Sequence, residues 1–266
     1  MKIKAYFLPI ALISAACARP VNFENRYFEL SGGWKIQSSE FVCGNGDAIS
    51  EGSVDVSDWY DASVPTTVLG ALTASGLYAD AFKGTNYYDV IDRGTFANPW
   101  WFVKSFKLPK GCEQNIRLEL DGISYRAEIW LNGRQIASSD EAVGPFRQFN
   151  FDVTDVVEEN NTLAVKVFRA QPGEFNIGFV DWNPRAADES MGIFRPVRLH
   201  ISDEVAMSSS CVRSSFEEND FSRAALCVQT TLCNNTPAEV EGTLNIFLEG
   251  RKAKEENVAV YCIEEA

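Results

Sequence analysis

Residues 116–133 read Ile-Arg-Leu-Glu-Leu-Asp-Gly-Ile-Ser-Tyr-Arg-Ala-Glu-Ile-Trp-Leu-Asn-Gly. Apolar and polar side chains alternate in the first half of this stretch and again in the second, which is the pattern of half-buried β-strands. The second strand ends at Asn132-Gly133, the favoured two-residue turn of a β-hairpin, because both positions tolerate positive φ. The stretch therefore predicts antiparallel strands with one polar side and one apolar side.

The same alternation recurs over residues 163–167 and 197–201. Helical periodicity is weak except over residues 67–76, where Val68, Leu69 and Leu72 could face a core before a glycine ends the helix. We therefore expect an all-β protein in which residues 22–203 form an antiparallel β-sandwich.

A second β pattern begins near residues 202–205. Alternating strands are predicted over residues 226–232 and 240–248, and residues 234–237 turn the chain between them. This pattern is typical of the opening of an immunoglobulin-like sandwich, which needs about seven strands and about 100 residues. Residues 204–266 are too few for that, so an incomplete immunoglobulin-like β-sandwich is expected there.

The N-terminus has the features of an export signal. Two lysines precede an apolar run over residues 5–13, which is too short to span a bilayer as a helix. The small residues before Cys17 resemble a bacterial lipobox, although Ala16-Cys17-Ala18 also fits an ordinary cleavage site. We expect residues 1–17 to be a signal peptide and Cys17 to be lipidated. The protein would then reach the periplasm or outer membrane of a bacterium, touching membrane only through that anchor.

Composition excludes several function classes. Asp and Glu number 37 against 24 Lys and Arg, a formal net charge of -13, and no basic stripe appears. Nucleic acid is therefore not an expected partner, because phosphate binding needs clustered cations. The single histidine, His200, lies on the polar side of its strand, where solvent exposure is expected. Without a second histidine, a His-rich zinc site is ruled out, and no metal or cofactor is expected.

Six cysteines remain after Cys17, and six allow 15 disulfide connectivities. Cys227 and Cys233 are six residues apart on one predicted strand, roughly 20 Å at 3.3 Å per residue, which is beyond disulfide reach. Free or loosely paired thiols are the favoured interpretation.

A carboxylate beside a large aromatic marks the candidate ligand site. Asp181 and Trp182 stand before the Asn183-Pro184 turn, and such a pair can bind pyranose hydroxyls while the indole covers the C–H face. The alternative is an ordered loop in which Asp181 caps the turn and Trp182 is half buried. Of Trp100 and Trp101, strand alternation predicts one ring inward and one outward, so at most one could reach a ligand.

The order of motifs resembles the N-terminal sugar-binding domain of glycoside hydrolase family 2, especially its exo-β-glucosaminidase and β-mannosidase branch. The segments that carry the resemblance are Val-Pro-Thr-Thr-Val-Leu at 64–69, Gly-Leu-Tyr-Ala-Asp-Ala-Phe at 76–82, Gly-Thr-Asn at 84–86, Asn-Pro-Trp-Trp-Phe at 98–102, Leu-Asp-Gly-Ile at 120–123, Trp-Leu-Asn-Gly at 130–133, Asp-Trp-Asn-Pro at 181–184 and Gly-Ile-Phe-Arg at 192–195. Asp-Trp-Asn-Pro is more typical of the glucosaminidases, whereas the mannosidases more often have Asp-Trp-Gly-Pro. Phe194 and Ala186-Ala187 depart from the family pattern.

The resemblance implies that the sandwich of residues 22–203 is a jelly-roll-like, galactose-binding-like sugar-binding domain. It also implies that two catalytic glutamates belong to a separate (β/α)₈ barrel of about 250 residues, so that no catalytic residue is expected in this chain. It also implies that the loop of Asp181 and Trp182 helps to bind the terminal sugar, with Asn86 as a further contributor. We expect the first part of an exported exo-glycosidase that binds an oligosaccharide or glycan terminus. The alternatives are a carbohydrate-binding module without hydrolysis and a surface adhesion module.

Overall fold

The computed structural model describes residues 25–78, 80–108, 115–175, 182, 185–217, 220–248 and 251–260. The chain divides into two compact units, Tyr27–His200 and a second unit made of Met1–Arg26 and Ile201–Ala266. Across the described residues, no helix has both the length and the apolar character needed to cross a membrane.

Strands make up most of the regular secondary structure described in the first unit, and the first and last of them extend slightly beyond its bounds. These strands are β1 (Asn25–Glu29), β2 (Trp34–Ser38), β3 (Tyr60–Ala62), β4 (Thr66–Thr67), β5 (Trp100–Lys107), β6 (Asn115–Leu120), β7 (Ile123–Ser124), β8 (Arg126–Leu131), β9 (Arg134–Val143), β10 (Phe149–Asp152), β11 (Asn160–Phe168), β12 (Gly192–Ile193) and β13 (Val197–Ser202). The helices are short: α1 (Gly46–Ser50), α2 (Val68–Ala74), α3 (Asn86–Asp89) and 3₁₀ turns at Ser39–Phe41 and Arg93–Phe96.

Three sheets organise these strands. A four-stranded sheet has the order β1-β13-β6-β10, a six-stranded sheet has the order β3-β2-β5-β11-β8-β9, and a small sheet has the order β4-β12-β7. The pairings of β11 with β5 and β8, of β2 with β3 and β5, and of β10 with β6 are all antiparallel. The predicted all-β antiparallel sandwich is confirmed.

Two local predictions are confirmed as well. Asn132 (φ 49) and Gly133 (φ 81) form the turn between β8 and β9. Helix α2 begins after Thr67, whose hydroxyl accepts a hydrogen bond from the Gly70 N–H at 3.1 Å, and its last turn is followed by Gly76 at φ 87. The predicted inward residues of this helix are buried.

The core lies against one side of the six-stranded sheet. Phe102 of β5 stands opposite Ile36 of β2 and Val165 of β11, and Val165 stands opposite Ile129 of β8, so four fully buried side chains form one row across the sheet. The four-stranded sheet contributes the buried apolar side of β6 and β13: Ile116, Leu118, Leu120, Val197, Leu199 and Ile201. Trp34 is completely buried in the sandwich.

The other side of the six-stranded sheet is covered too. Trp101, Trp130 and Trp59 form a second buried cluster with Ile49 of α1, and the Trp101 and Trp130 rings lie 5.5 Å apart. The outward ring of the Trp100-Trp101 pair is therefore covered as well. The two rings do take opposite sides of β5, but each is only 2% exposed, because the segment containing α1 covers the outer side. Neither ring is available to a ligand.

The prediction that His200 is exposed to solvent is wrong, because the residue is only 2% exposed. Its Nδ1 lies 3.2 Å from the Glu119 carboxylate, and its ring stacks on Tyr27 with the centroids 4.4 Å apart. Arg198 donates to Glu119 at 2.8 Å and pairs with Asp121 at 2.8 Å on the same side of the sheet. Strand alternation identified the polar side correctly, but that side is closed by paired charges and a tyrosine ring.

The residues described after β13 in the second unit form the strands β14 (Val205–Glu217), β15 (Asp220–Asn234), β16 (Val240–Leu248) and β17 (Arg251–Val260). They pair as two antiparallel hairpins, β14 with β15 and β16 with β17. The predicted turn between β15 and β16 is present, and the Asn234 side-chain oxygen accepts hydrogen bonds from the Thr236 N–H and hydroxyl, both at 2.9 Å. The predicted domain bounds and the immunoglobulin-like assignment stay predictions.

The thiols that the structure describes are free: Cys43, Cys211, Cys227 and Cys233. Cys227 and Cys233 lie on one strand, β15, as predicted, so they are too far apart to pair. The remaining cysteines lie outside the described residues.

Glu119 makes stability depend on acid pH. Burial by itself would raise the pKa of Glu119, but hydrogen bonds from His200 and Arg198 outweigh it and hold the pKa below its usual value of 4.5. The stability that this carboxylate provides is therefore complete above pH 4.5 and is lost as the pH falls through the lower folded-state pKa. Glu119→Gln should lower the free energy of unfolding at pH 7 by about 2 kcal/mol, measured by urea titration.

The same substitution should flatten the dependence of stability on pH between about 5 and 3, because a glutamine does not titrate. Glu128→Gln, on β8 in the other sheet, is the control and should leave both quantities nearly unchanged. If Glu119→Gln lost stability at acid pH as steeply as the unsubstituted protein, the role of Glu119 in this pH dependence would be contradicted.

Candidate functional site

The predicted site residues are only partly described. Trp182 lies in a turn and is 85% exposed, so its indole is free to meet a ligand rather than half buried. Asn86 is the first residue of α3, and its side-chain amide donates to the Asp80 carbonyl at 3.1 Å. Asp181 and Cys17 lie outside the described residues.

Tyr87 connects the segment after Trp182 to the helix of Asn86. Its hydroxyl donates to the Arg185 carbonyl at 3.1 Å and accepts from the Ala187 N–H at 2.6 Å. Arg93 donates to the same Arg185 carbonyl at 3.3 Å. Burial raises the pKa of Tyr87 above 10, which keeps the phenol protonated as a donor. Two segments nearly 100 residues apart in the chain, both singled out in the sequence, are thereby brought together.

Asp188 holds the other end of the same segment. Its carboxylate is 1% exposed and accepts from the Leu69 N–H at 2.9 Å, in the first turn of α2, and from the Ser190 N–H at 3.0 Å. Burial raises the pKa of Asp188 above 3.8, although the Leu69 N–H and the Thr67 hydroxyl counteract the shift. A negative charge at a helix start is favourable, because unpaired N–H groups point out of that end.

Gly192 then brings the segment into the small sheet. Strand β12 lies between β4 and β7, and a Cβ on Gly192 would come within 2.5 Å of the Thr66 carbonyl oxygen and 2.6 Å of the Thr67 Cα. Both contacts are with backbone and cannot move aside. Only glycine therefore allows β12 to approach β4, immediately before the helix that Asp188 caps.

The surface around this anchored segment combines exposed rings with charge. Phe82 and Tyr88 are 66% and 64% exposed, and Phe82 lies 6.1 Å from Tyr87. Arg185 donates to Glu189 at 2.9 Å. Aromatic rings that cover apolar sugar faces, next to polar groups that bind hydroxyls, are the usual components of a carbohydrate site.

Sequence reasoning missed Tyr87, Asp188 and Gly192 as residues that position this site. No local pattern distinguishes the buried Asp188 from the many surface acids of an acidic chain. Its partner Leu69 is 119 positions away in the chain. Gly192 belongs to a motif that was recognised, but its steric role depends on β4.

Comparison with known families identifies the domain. The family model for the glycosyl hydrolase 2 galactose-binding domain-like fold matches residues 34–176, more than half of the chain. The chain belongs to this family. The resemblance inferred from the motifs is confirmed, and the chain corresponds to the N-terminal domain of family 2 glycosidases.

Curated relatives carry related names. The exo-beta-D-glucosaminidase of Streptomyces avermitilis is 33% identical over 218 residues, which cover 80% of this chain and 24% of the relative. That of Arthroderma benhamiae is 29% identical over 97% of this chain and 30% of the relative. The mannosylglycoprotein endo-beta-mannosidase of Lilium longiflorum is 32% identical over 71% of this chain. The chain thus spans less than a third of the length of these relatives.

A solved structure agrees with this relationship. The exo-chitosanase of Amycolatopsis orientalis superposes with a TM-score of 0.80 at 27% identity, over 90% of this chain and 28% of that one. A beta-D-mannosidase of Dictyoglomus thermophilum shares the fold, with a TM-score of 0.62 at 20% identity.

Asp188→Ala should destabilise the first unit by about 2–4 kcal/mol, because two buried backbone N–H groups lose their acceptor at about 1–3 kcal/mol each. The measurement is the free energy of unfolding from urea titration of the whole chain. Asp140→Ala, at an exposed position of β9, is the matched control and should change stability by less than about 0.5 kcal/mol. If the two substitutions lowered the free energy of unfolding equally, the anchoring role of Asp188 would be contradicted.

Proposed function

We propose that this chain is the sugar-binding N-terminal part of an exported exo-glycosidase that acts on β-linked glucosamine, or on mannose, at glycan termini. The observation that carries the proposal is the attachment of the segment after Trp182 to α3 by Tyr87 and to α2 by Asp188. An anchored loop with an exposed indole can hold a sugar ring without a large loss of conformational entropy on binding.

Glucosamine is favoured over mannose as the terminal sugar. Several relatives that match most of this chain carry the name exo-beta-D-glucosaminidase. In addition, the Asp-Trp-Asn-Pro sequence at 181–184 puts a carboxylate beside the exposed indole. A carboxylate suits a protonated amine, since a charge-assisted hydrogen bond is roughly twice as strong as a neutral one.

Bond cleavage is assigned to residues outside this chain. Retaining glycosidases need two carboxyl groups about 5 to 5.5 Å apart on opposite sides of the scissile bond. In the family that the chain resembles, these groups belong to a (β/α)₈ barrel of parallel strands, whereas the pairings of the six-stranded sheet described here are antiparallel. The role of this chain is then to bind the terminal sugar and help complete the mouth of the active site.

The 266-residue chain on its own should therefore hydrolyse neither aryl β-glucosaminide nor aryl β-mannoside. The measurement is release of the aryl group by purified protein over hours, with an intact family 2 exo-glucosaminidase as the positive control. Turnover that stays with the chain through repeated purification would contradict the assignment of catalysis to another domain.

Asp181 should contribute to recognition and not to folding. In a chimera in which this chain replaces the matching part of the Streptomyces avermitilis relative, Asp181→Ala should lower kcat/KM by roughly 30- to 1000-fold, equivalent to about 2–4 kcal/mol of lost transition-state binding. Its Tm should change by less than about 2 °C. The same chimera without the substitution is the reference.

Asp140→Ala is the control for this chimera, because it removes an exposed carboxylate far along the chain from the loop. A chimera with Asp181→Ala that melts earlier but keeps its full kcat/KM would assign Asp181 to capping the turn and would end the proposed role in recognition.

Export and anchoring also belong to the proposal, on the basis of the apolar run over residues 5–13 and the small residues before Cys17. Expressed in a bacterial host with labelled fatty acid, the chain should incorporate label, and Cys17→Ala should abolish it. If the Cys17→Ala protein were exported and still incorporated label, the fatty acid would be attached to a residue other than Cys17, and the proposed anchor would be contradicted.

A further inference from the structure

A polar cleft of about 630 Å³ lies at the end of the six-stranded sheet where β5 ends and β11 begins. Its lining includes Glu51 after α1, Phe106 and Lys107 of β5, and Asn160 of β11. The turn at Asn132 between β8 and β9 also contributes to it. All of these residues belong to the first unit.

The cleft is separate from the surface around Trp182. Arg93, which contacts the segment after Trp182, precedes the first residue of β5, Trp100, whereas the cleft is lined by the last three residues of that strand. Strand β5 has eight residues and rises about 3.3 Å per residue, so its two ends are about 23 Å apart. None of Tyr87, Arg93 and Asp188, which hold the segment after Trp182, lines the cleft.

One wall of the cleft is rigid because its amides are used internally. The Asn132 side chain donates to the Val156 carbonyl at 2.9 Å and to the Asn161 side-chain oxygen at 2.8 Å, and it accepts from the Thr162 N–H at 2.9 Å. The Asn161 amide donates to the Glu158 carbonyl at 2.7 Å. These bonds hold the backbone next to Glu158 and Asn160 in one geometry before any ligand arrives.

Glu51 is positioned by the same turn. The Gly133 N–H donates to the Ser50 hydroxyl at 2.9 Å, and a Cβ on Gly133 would lie 2.7 Å from the Glu51 Cγ. The Glu51 side chain therefore packs over the glycine of the turn. A residue larger than glycine at this position would displace it.

Other groups in the cleft are available to a ligand. In the part of the chain that the structure describes, the side chains of Glu51, Lys107, Glu158 and Asn160 form no hydrogen bond or ion pair. Phe106 is half buried and contributes the aromatic surface of the cleft. An aromatic ring with carboxylate, amide and ammonium groups around it matches a ligand rich in hydroxyls and amines.

We propose that this cleft is a second carbohydrate site, which binds an internal segment of an amino-sugar oligosaccharide. Phe106 packs against the C–H face of a ring, Glu51 and Glu158 accept hydrogen bonds from protonated amines, and Asn160 and Lys107 bind hydroxyls. Two carboxylates against one ammonium, on a chain of formal net charge -13, favour a cationic sugar over a neutral or anionic one. The inference concerns a different surface from the proposed function and does not depend on it.

The experiment is a titration of the ¹⁵N-labelled whole chain with a β-linked glucosamine oligosaccharide, followed by ¹⁵N–¹H correlation spectra and calorimetry. Chemical shift changes are expected at the Gly133, Asn161 and Thr162 amides. The double variant Glu51→Gln, Glu158→Gln should weaken binding by roughly tenfold, because it removes two partly exposed charge contacts. Phe106→Leu should weaken it while preserving the packing of β5.

Two controls separate this cleft from the other surface. Glu29→Gln, at an exposed position of β1, removes a carboxylate elsewhere and should leave the affinity at the cleft unchanged, as should Trp182→Ala. The fully N-acetylated oligosaccharide of equal length should bind more weakly, and salt should weaken binding of the amine form.

Three results would overturn the inference. They are an unchanged affinity in the double variant, equal binding of the acetylated and amine forms, and shift changes confined to residues near Trp182. The last result would support the proposed function while removing the second site. If Asp181→Ala left kcat/KM of the chimera unchanged while the Gly133 amide shifted on titration, the second site would be supported and the proposed role of Asp181 would be lost.

Discussion

The buried carboxylate of Asp188 is the constraint on which the candidate site depends. It takes the first-turn N–H of Leu69 and the N–H of Ser190 at the same time, and so joins the start of α2 to the segment that follows Trp182. Gly192 then lets that segment continue into β12 at a separation from β4 that a Cβ would forbid. The described segment from Arg185 to Ile193 is held at both ends in this way, and Trp182, three residues before it, is exposed.

The covering of the six-stranded sheet explains why the exposed aromatic residues of the site lie outside the sheets. Both sides of the six-stranded sheet are covered, one by the core row around Phe102 and the other by the cluster of Trp59, Trp101 and Trp130. The six-stranded sheet therefore leaves no free surface at its centre. The exposed Trp182 lies in a turn outside the sheet, and the polar cleft around Phe106 lies where β5 ends.

The charged side of the four-stranded sheet illustrates a structural use of residues that often act in catalysis. Glu119, Arg198 and His200 make a compact network under the ring of Tyr27. Each buried charge in it has an opposite charge or a hydrogen-bond partner, and these contacts offset the free-energy cost of removing the charges from water. The network faces away from the apolar core, and its hydrogen bonds stabilise the sheet.

The sequence by itself determined the fold class, the helix at α2, the turn at Asn132-Gly133 and the family, because alternation, capping and turn chemistry act between neighbours in the chain. It also singled out both Trp182 and Asn86. Only the tertiary structure decided which polar residues are buried. His200 and Asp188 look like surface groups locally, and their burial follows from Glu119, Tyr27 and Leu69, which lie 81, 173 and 119 positions away. Burial is a property of what packs on a residue from elsewhere in the chain, and no local pattern contains that information.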